Sequence, residues 1–243
     1  MAVKIGSARI DERGKATGGK IGDQTGKEVS AQNWYRHPKG WVVIRPKGAP
    51  EAERITQAME AACKNSNIGY DQGNRLSLWN KAKPKGFSPE LVTEKCETDC
   101  SALVRVCCAY AGIIVGNFTT ANERSVLKAS GAFDVLTDAK YADRPAYLKR
   151  GDILVTKTRG HTAVVLTDGS KAAPGIPAPA ARQIRVTGNS VNVRKGPGTG
   201  YGILGVAHKG DVLPLRGDAK DGWHPVTYRN RGAWISGRYS EAV

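Results

Sequence analysis

The sequence predicts an α+β unit followed by a small all-β barrel, and three stretches carry this prediction. Residues 172–181, AAPGIPAPAA, are uncharged and rich in Pro and Ala, which is typical of an extended linker. The part before it, 1–171, mixes helical and strand patterns. The part after it, 182–243, has only short apolar runs broken by Gly-rich turns. A chain of 243 residues is long enough for one larger and one smaller domain.

Composition and charge limit the class of protein. A content of 40% hydrophobic and 24% charged residues indicates a globular chain rather than a disordered one. The net charge of +15 favours a polyanionic partner, which could be nucleic acid, an anionic membrane face or a bacterial wall with its teichoic acids. Neither a signal peptide nor a membrane-spanning run is visible, so we expect synthesis in a cytosol and no membrane insertion. The odd count of five cysteines argues for reduced thiols rather than a disulfide framework.

The larger part contains clear local signals for single elements. Residues 41–45, WVVIR, predict a strand, and residues 51–63 predict a helix. Thr120-x-x-Glu123 matches a capping box and predicts the start of another helix. The runs DILVTK and HTAVVLT, separated by residues 158–160, predict a β-hairpin. In the smaller part the predicted strands are SVNVR, GILGVA, DVLPL, HPVTY and GAWIS.

Residues 96–108, CETDCSALVRVCC, hold four of the five cysteines and predict a helix. Thr98 or Asp99 can cap its N-terminus. Cys107 then packs inward, which is a common position for a free cysteine. The predicted apolar face consists of Leu103, Val106, Cys107, Tyr110 and Ile114.

Cys100 differs from the other cysteines because it falls in the first turn of this helix, where backbone N–H groups and the helix dipole favour a thiolate. A nucleophilic cysteine needs a general base. His161, which opens an apolar strand after a glycine, is the prime candidate, and His37 in the turn-like RHPKG is the alternative. A zinc site is disfavoured because Cys96-x-x-x-Cys100 has no matching second pair. We expect no metal and no other cofactor.

The same motifs carry a resemblance to a known family. Residues 99–104, DCSALV, resemble the Asp-Cys-Ser motif of NlpC-type cysteine peptidases. Residues 151–154, GDIL, and 160–165, GHTAVV, resemble that family's Gly-Asp strand and histidine strand, and 68–70, IGY, is similar to its tyrosine stretch. With the opening ARIDERG, GDQTGKEV and PKGW, most of 1–171 looks like the catalytic module of phage endolysins, NlpC-like or CHAP-like. The resemblance implies a papain-like fold.

The resemblance also implies roles for individual residues. Cys100 would be the nucleophile and His161 its base, and Tyr70 would help to form the oxyanion pocket. Asp99 and Ser101 would hold the free amine of the L-alanine of a peptidoglycan stem peptide. The alternative for Asp99, a helix cap, does not exclude this role.

The third polar residue, which in the family orients the histidine, has no clear match. Its expected position falls near Ala172, already in the linker. Asp168, at the end of the histidine strand, is one candidate, and it is also the turn residue of TDGS. The Gly-rich N-terminus could instead bring Asp23 or Gln24 to the site. A glutamine there could alternatively donate to an oxyanion.

The smaller part resembles bacterial SH3 domains. Residues 191–198, VNVRKGPG, and 232–236, GAWIS, together with Gly210-Asp211 and Gly222-Trp223, carry this resemblance. Such domains bind bacterial cell walls, and the aromatic residues proposed for contact could equally belong to the barrel core. The expected wall-binding residues are Asn192, Arg194, Tyr201, Trp223 and Tyr239.

The two resemblances together imply a phage endolysin that hydrolyses peptide bonds of Gram-positive peptidoglycan by a Cys–His mechanism and lyses the host cell. The expected activity is a stem-peptide endopeptidase, and the alternative is an N-acetylmuramoyl-L-alanine amidase. A non-catalytic wall-binding protein is a further alternative. A nucleic-acid-binding protein is disfavoured, since no recognition helix or RNA-binding aromatic motif is present. We expect the protein in the host cytoplasm until a holin releases it to the wall, where peptidoglycan and wall teichoic acid are the partners.

Overall fold

A computed structural model describes residues 2–172, 183–216, 218–228 and 231–243, with Arg231 described by its backbone alone. The chain divides into two compact units, Met1–Ile176 and Pro177–Val243. Of the predicted linker, 172–181, all residues except Ala172 lie outside the described part of the chain. In the described part, no helix combines the length and the apolar character needed to cross a membrane.

The first unit mixes strands and helices along the chain, as the sequence predicts. Its elements are β1 (Lys4–Ala8), β2 (Val29–Asn33), β3 (Trp41–Pro46), α1 (Ala49–Lys64), β4 (Ile68–Tyr70), α2 (Ser77–Ala82), β5 (Cys96–Thr98), α3 (Cys100–Tyr110), α4 (Glu123–Ala129), β6 (Phe133–Leu136), α5 (Ala139–Ala142), β7 (Ile153–Thr156) and β8 (Thr162–Val165).

A six-stranded antiparallel sheet with the order β2-β1-β8-β7-β3-β6 forms the centre of this unit. Both faces of the sheet are buried. Alternate residues of a strand point to opposite sides, so neighbouring residues of one strand belong to different cores. Val42 and Ile44 face a core shared with α1 and α3, whereas Trp41 and Val43 face a second, smaller core. The predicted hairpin is confirmed, since β7 and β8 pair directly.

Helices α1 and α3 confirm two of the predicted helices. The predicted helix 51–63 extends slightly further, over Ala49–Lys64. Helix α3 begins at Cys100, and the Asp99 side chain caps it by accepting a hydrogen bond from the Ala102 N–H. The residues before it form strand β5 rather than helix. The prediction for Ile114 is wrong: the helix ends at Tyr110, before a glycine with positive φ at 112, and Ile114 is 65% exposed.

The predicted capping box at Thr120 is also wrong. Helix α4 begins at Glu123, and its N-cap residue, Asn122, makes no side-chain hydrogen bond to a helix N–H group. The Thr120 hydroxyl and the Glu123 carboxyl accept hydrogen bonds from Gly160 and Thr162 instead. Both side chains thus have partners that are distant in sequence, and these partners replace the local cap.

The second unit is all-β in its described residues. Its strands are β9 (Gln183–Val186), β10 (Ser190–Arg194), β11 (Ile203–His208), β12 (Val212–Pro214), β13 (Trp223–Tyr228), β14 (Arg231–Ser236) and β15 (Ser240–Ala242). They form a sheet β11-β10-β14-β13 and a sheet β12-β9-β15 around one small apolar core. The five predicted strands are confirmed as β10–β14, while β9 and β15 were not predicted.

Candidate active site

Cys100 lies at the point where the small β4–β5 sheet leads into α3. The parallel pair β4–β5 places Tyr70 opposite Thr98, two residues before Cys100. The Asp99 carboxylate accepts the Ala102 N–H at 2.6 Å, which fixes the first turn of the helix. The Cys100 side chain is buried, with 6% of the residue exposed. The sequence thus fixes the nucleophile candidate at a helix start.

The resting form of Cys100 is the neutral thiol. Burial, together with the nearby carboxyl groups of Asp99 and Glu123, raises the pKa of the thiol to about 12. The backbone N–H groups of Thr162 and Ser101 act in the opposite direction. The expectation that the helix start favours a thiolate is therefore outweighed by desolvation, and a base has to take the proton during reaction.

The strand that follows His161 lies against the helix that carries Cys100. Strand β8 packs against α3, and the N–H of Thr162, the residue after His161, acts on the Cys100 thiol. The His161 backbone is fixed at the hairpin end, where its carbonyl accepts the Thr156 N–H at 3.0 Å. Its own N–H donates to the Thr156 hydroxyl at 3.2 Å. Cys100 and Thr162, more than sixty positions apart in the chain, are thus neighbours in the fold.

The His161 imidazole belongs to an aromatic cluster with the rings of Tyr35, His37 and Trp41. The His37 and His161 ring centroids are 6.4 Å apart at an interplanar angle of 22°, and the Trp41 ring lies 6.2 Å from that of His161. Burial, His37 and Arg9 together lower the pKa of His161 to about 4. At neutral pH His161 is therefore uncharged and able to accept a proton.

His37→Gln is expected to move the acid limb of activity upward. With the neutral His161 imidazole as the predicted base, activity is expected above its pKa and is expected to be lost as pH falls through that pKa, near 4 in the wild type. Removing His37 removes one of the charges that lower this pKa, and the limb shifts towards higher pH. The measurement is kcat/KM between pH 3.5 and 8, with folding checked by circular dichroism at each pH.

The matched control for His37→Gln is His208→Gln, which alters a histidine on β11 of the other unit. That variant should keep the wild-type acid limb. An acid limb of His37→Gln that stayed in place or moved down would contradict the electrostatic role of His37.

The Tyr70 side chain is buried near Cys100 and keeps a proton that it can donate. Its hydroxyl accepts a hydrogen bond from the Gln72 side chain at 2.9 Å, so its own proton is left to donate elsewhere. Burial and Cys100 raise the pKa of this hydroxyl to about 12, which keeps it protonated. Gly69 before it lets the N-terminal loop pass closely, because a Cβ there would lie 2.6 Å from the Gly22 carbonyl carbon.

Arg75 occupies the position predicted to receive a substrate amine. Its Nε donates to Asp99 at 2.5 Å, and its Nη2 donates to the Ser101 hydroxyl at 2.9 Å and to the Phe118 carbonyl at 2.6 Å. The Ser101 hydroxyl in turn donates to Asp99 at 2.9 Å. An incoming ammonium group would have to displace this guanidinium or share its partners.

Two other predicted residues are not brought to the site. Asp168 lies beyond the far end of β8, roughly 20 Å along the strand from His161, is exposed, and accepts the Arg150 N–H at 2.8 Å. Gln24 is exposed, and its side-chain amide donates to the carbonyls of Ile21 and Gly22 in its own loop. Asp168 is therefore a turn residue, and the Gln24 side chain is bound within its own loop.

Arg75 and Glu123 belong to the site although sequence reasoning did not assign them to it. Arg75 stands in NRLS, which carries no local signal, and its partners lie 24 to 43 positions away. Glu123 matched a capping box, so its local pattern pointed to a different role. The described residues contain no group of three or more His, Cys, Asp or Glu side chains arranged to hold a metal ion.

In the second unit, four of the five predicted wall-binding residues line one groove. The groove measures about 800 Å³ and includes Asn192, Arg194, Trp223 and Tyr239. Arg194 also supports the neighbouring loop, because its Nη1 donates to the carbonyls of Thr199 and Tyr201 at 2.8 Å each. Tyr201 itself does not line the groove: its ring lies against Gly196 and it is 50% exposed.

Comparison with known proteins matches both units. A family model described as an endolysin-like domain matches residues 5–172, and one described as a bacterial SH3 domain matches residues 189–241. No curated protein matches the chain.

Proposed function

Because the chain belongs to the endolysin-like domain family and carries a bacterial SH3 domain, both of which support hydrolysis and binding of the bacterial cell wall, we propose that it is a cysteine-dependent peptidoglycan hydrolase. One observation carries the catalytic assignment. Cys100 begins helix α3, which packs against strand β8 directly after His161. The backbone N–H of Thr162, the residue after His161, forms a hydrogen bond with the Cys100 sulfur. A helix-borne cysteine facing a histidine strand is the arrangement of papain-like enzymes.

The proposed reaction begins with attack of the Cys100 sulfur on an amide carbon. Because the resting pair is a thiol and a neutral imidazole, His161 accepts the proton as the carbon–sulfur bond forms. The Tyr70 hydroxyl and the Cys100 N–H stabilise the tetrahedral oxyanion. His161 then protonates the leaving amine, and water, with His161 again as base, hydrolyses the resulting thioester.

The bond that is cut has two candidates. The resemblance to NlpC-type peptidases supports an endopeptidase that cuts within the stem peptide. Arg75 favours the second candidate, an N-acetylmuramoyl-L-alanine amidase, because its guanidinium already holds Asp99 and Ser101, the residues that would bind a free stem amine. An amidase substrate carries an acylated alanine nitrogen and needs no ammonium site.

Mass spectrometry of muropeptides released from purified Gram-positive walls tests this proposal. New termini within the stem, absent with Cys100→Ala, would identify the endopeptidase. Intact stems freed from muramic acid, again absent with the variant, would identify the amidase. Walls of several types left uncut by the folded wild type would overturn the enzymatic proposal and leave the wall-binding role.

The groove of the second unit is the proposed wall-binding surface. Its mixture of aromatic and polar side chains suits a peptide of the wall, because aromatic rings cover apolar atoms while Asn192 and Arg194 bind polar groups. A domain of this kind holds the hydrolase at its substrate and raises the local concentration without any new catalytic contact.

Trp223→Ala is expected to weaken wall binding about tenfold or more, as the loss of a central aromatic contact does. The matched control is Ile203→Ala, which removes an exposed apolar side chain of β11 that does not line the groove. Sedimentation with purified walls measures the apparent Kd, and thermal unfolding checks both variants. Equal binding by the folded Trp223→Ala variant and the wild type would exclude the groove.

The surroundings of the substrate fit the charge of the chain. With a net charge of +15, the protein is attracted by anionic wall polymers such as teichoic acid. We propose that it collects in the cytoplasm of an infected cell and reaches the wall after a holin opens the membrane. Fractionation of infected cells before and after holin expression tests this location.

A further inference from the structure

Thr120, just before α4, and Glu123, its first residue, form hydrogen bonds with the two residues that flank His161. The Thr120 hydroxyl accepts the Gly160 N–H at 3.0 Å. The Glu123 carboxyl accepts the Thr162 hydroxyl at 2.8 Å. Gly160 and Thr162 are the two neighbours of His161 in the chain. The motif that resembles a capping box therefore fixes the backbone that carries the histidine.

Glu123 is fully buried with one carboxyl oxygen unpaired. None of the residue is exposed, and in the described part of the chain its Oε2 has no hydrogen-bond partner. Buried polar atoms normally have partners, so an unpaired one in a native site calls for an explanation. Burial and the nearby Asp99 raise the pKa of this carboxyl to about 8, so it is neutral at pH 7.

The charge state of Glu123 acts directly on the nucleophile. Its carboxyl raises the pKa of Cys100 and also that of Cys108, both on α3. The other charged group that faces it is Asp99 at the start of α3, which Arg75 partly compensates. From β8 it meets the uncharged Thr162. An ionised Glu123 would therefore oppose the loss of the thiol proton.

We propose that Glu123, together with Thr120, is a positioning residue: the two side chains fix the histidine strand against Cys100, and the buried Glu123 carboxyl lies beside the nucleophile. The catalytic roles of Cys100 and His161 rest on the proposed function, whereas the effect of the Glu123 carboxyl on the pKa of the Cys100 thiol does not. The hydrogen bond to Thr162 supplies the positioning. Because Glu123 keeps its proton, its carboxyl carries no negative charge when the Cys100 thiol loses its proton.

The test measures alkylation of Cys100 by iodoacetamide from pH 6 to 10, with peptide mass spectrometry to separate the five cysteines. Glu123→Gln keeps an acceptor for Thr162 and stays uncharged at every pH. It is expected to match the wild type at pH 7 and to react severalfold faster above pH 8, where the wild-type carboxyl ionises. In turnover it should keep near wild-type kcat/KM at pH 7.

Removing the hydrogen bonds separates positioning from charge. Glu123→Ala and Thr120→Val each lose a bond to the histidine strand, and each is expected to lower kcat with little change in KM, by roughly tenfold to a hundredfold. A kcat that is kept in Glu123→Gln but lost in Glu123→Ala is the signature of positioning. Thr120→Val provides this readout if Glu123→Ala fails to fold.

Glu97→Gln is the matched control. Glu97 is also buried, also has an unpaired Oε2, and has a pKa that burial raises to about 7, but it binds the Gly22 N–H at 2.8 Å and is not among the charges that act on Cys100. In the Glu97→Gln variant, the rate of Cys100 alkylation should depend on pH as it does in the wild type.

Two outcomes would overturn parts of the inference, and a third separates it from the proposed function. Identical alkylation profiles for Glu123→Gln and the wild type would contradict the electrostatic role. Wild-type turnover by folded Glu123→Ala or Thr120→Val would contradict positioning. A wild type that cuts no wall, but whose Cys100 alkylation responds to Glu123→Gln as expected, would refute the proposed function and support the electrostatic role independently.

Discussion

Cys100→Ala and His161→Ala are each expected to lower kcat/KM by roughly 10⁴-fold or more, and the double variant should lose no more than either single variant. The reason is that the resting cysteine is a buried thiol, whose pKa of about 12 prevents it from acting without a base. The imidazole alone has no nucleophile to activate. Two groups that act as a unit lose their common contribution once either is removed.

The measurement is kcat/KM on a soluble muropeptide, with residual rates followed long enough to detect the expected losses. Both variants should retain wall binding through the second unit and unfold near the wild-type temperature, which shows that the loss is chemical. Losses that multiply in the double variant would indicate that the residues act independently. A folded Cys100→Ala variant within tenfold of wild-type activity would refute the cysteine mechanism.

Asp152→Ala is expected to lower the free energy of unfolding of the first unit by about 3 kcal/mol, since it leaves a mostly buried cation unpaired. Asp152 is fully buried and binds the Nε and Nη2 atoms of Arg45 at 2.7 Å each. It also accepts the Lys149 N–H at 2.8 Å. The expected value is at the lower end for a buried pair because the Arg45 side chain is 19% exposed.

Asp134→Ala is the matched control for this stability prediction. Asp134 pairs with Lys47 at 3.9 Å, and both side chains are more than half exposed. Pairs of this kind contribute at most about 1 kcal/mol, so the variant should unfold close to the wild type. Chemical denaturation of both variants gives the comparison. Equal losses in the two variants would show that the burial of the Arg45–Asp152 pair has no special weight.

The parts of the fold that could be predicted from sequence are those whose signals are local. SVNVR alternates apolar and polar residues and corresponds to β10 residue for residue. Helix α3 has both a cap residue and an apolar face, and the structure starts it at Cys100 as expected. In both cases neighbouring residues carry the information, so no knowledge of distant contacts is needed.

The parts that could not be predicted depend on distant partners. Strands β1 and β2 contain Gly6, Ser7 and Ser30, and they become strands by pairing with each other and with β8. Glu123 has the local pattern of a capping residue, but Thr162 becomes its partner. The Asp168 prediction extrapolated along the histidine strand, whereas the side chains that surround His161 come from the N-terminal segment. Local patterns contain no information about such neighbours.

The pairing of β1 with β8 also affects how this protein is made. Ile5 lies opposite Val165, so the sheet beside the histidine is closed by strands from the two ends of the first unit. During synthesis β1 can pair early with β2, but some 160 further residues must be translated before its second partner, β8, exists. Contacts of such long sequence separation form late and slow the folding of a domain. A chain that ends before β8 therefore lacks the strand that follows His161, so the proposed site is complete only once the first unit has been produced.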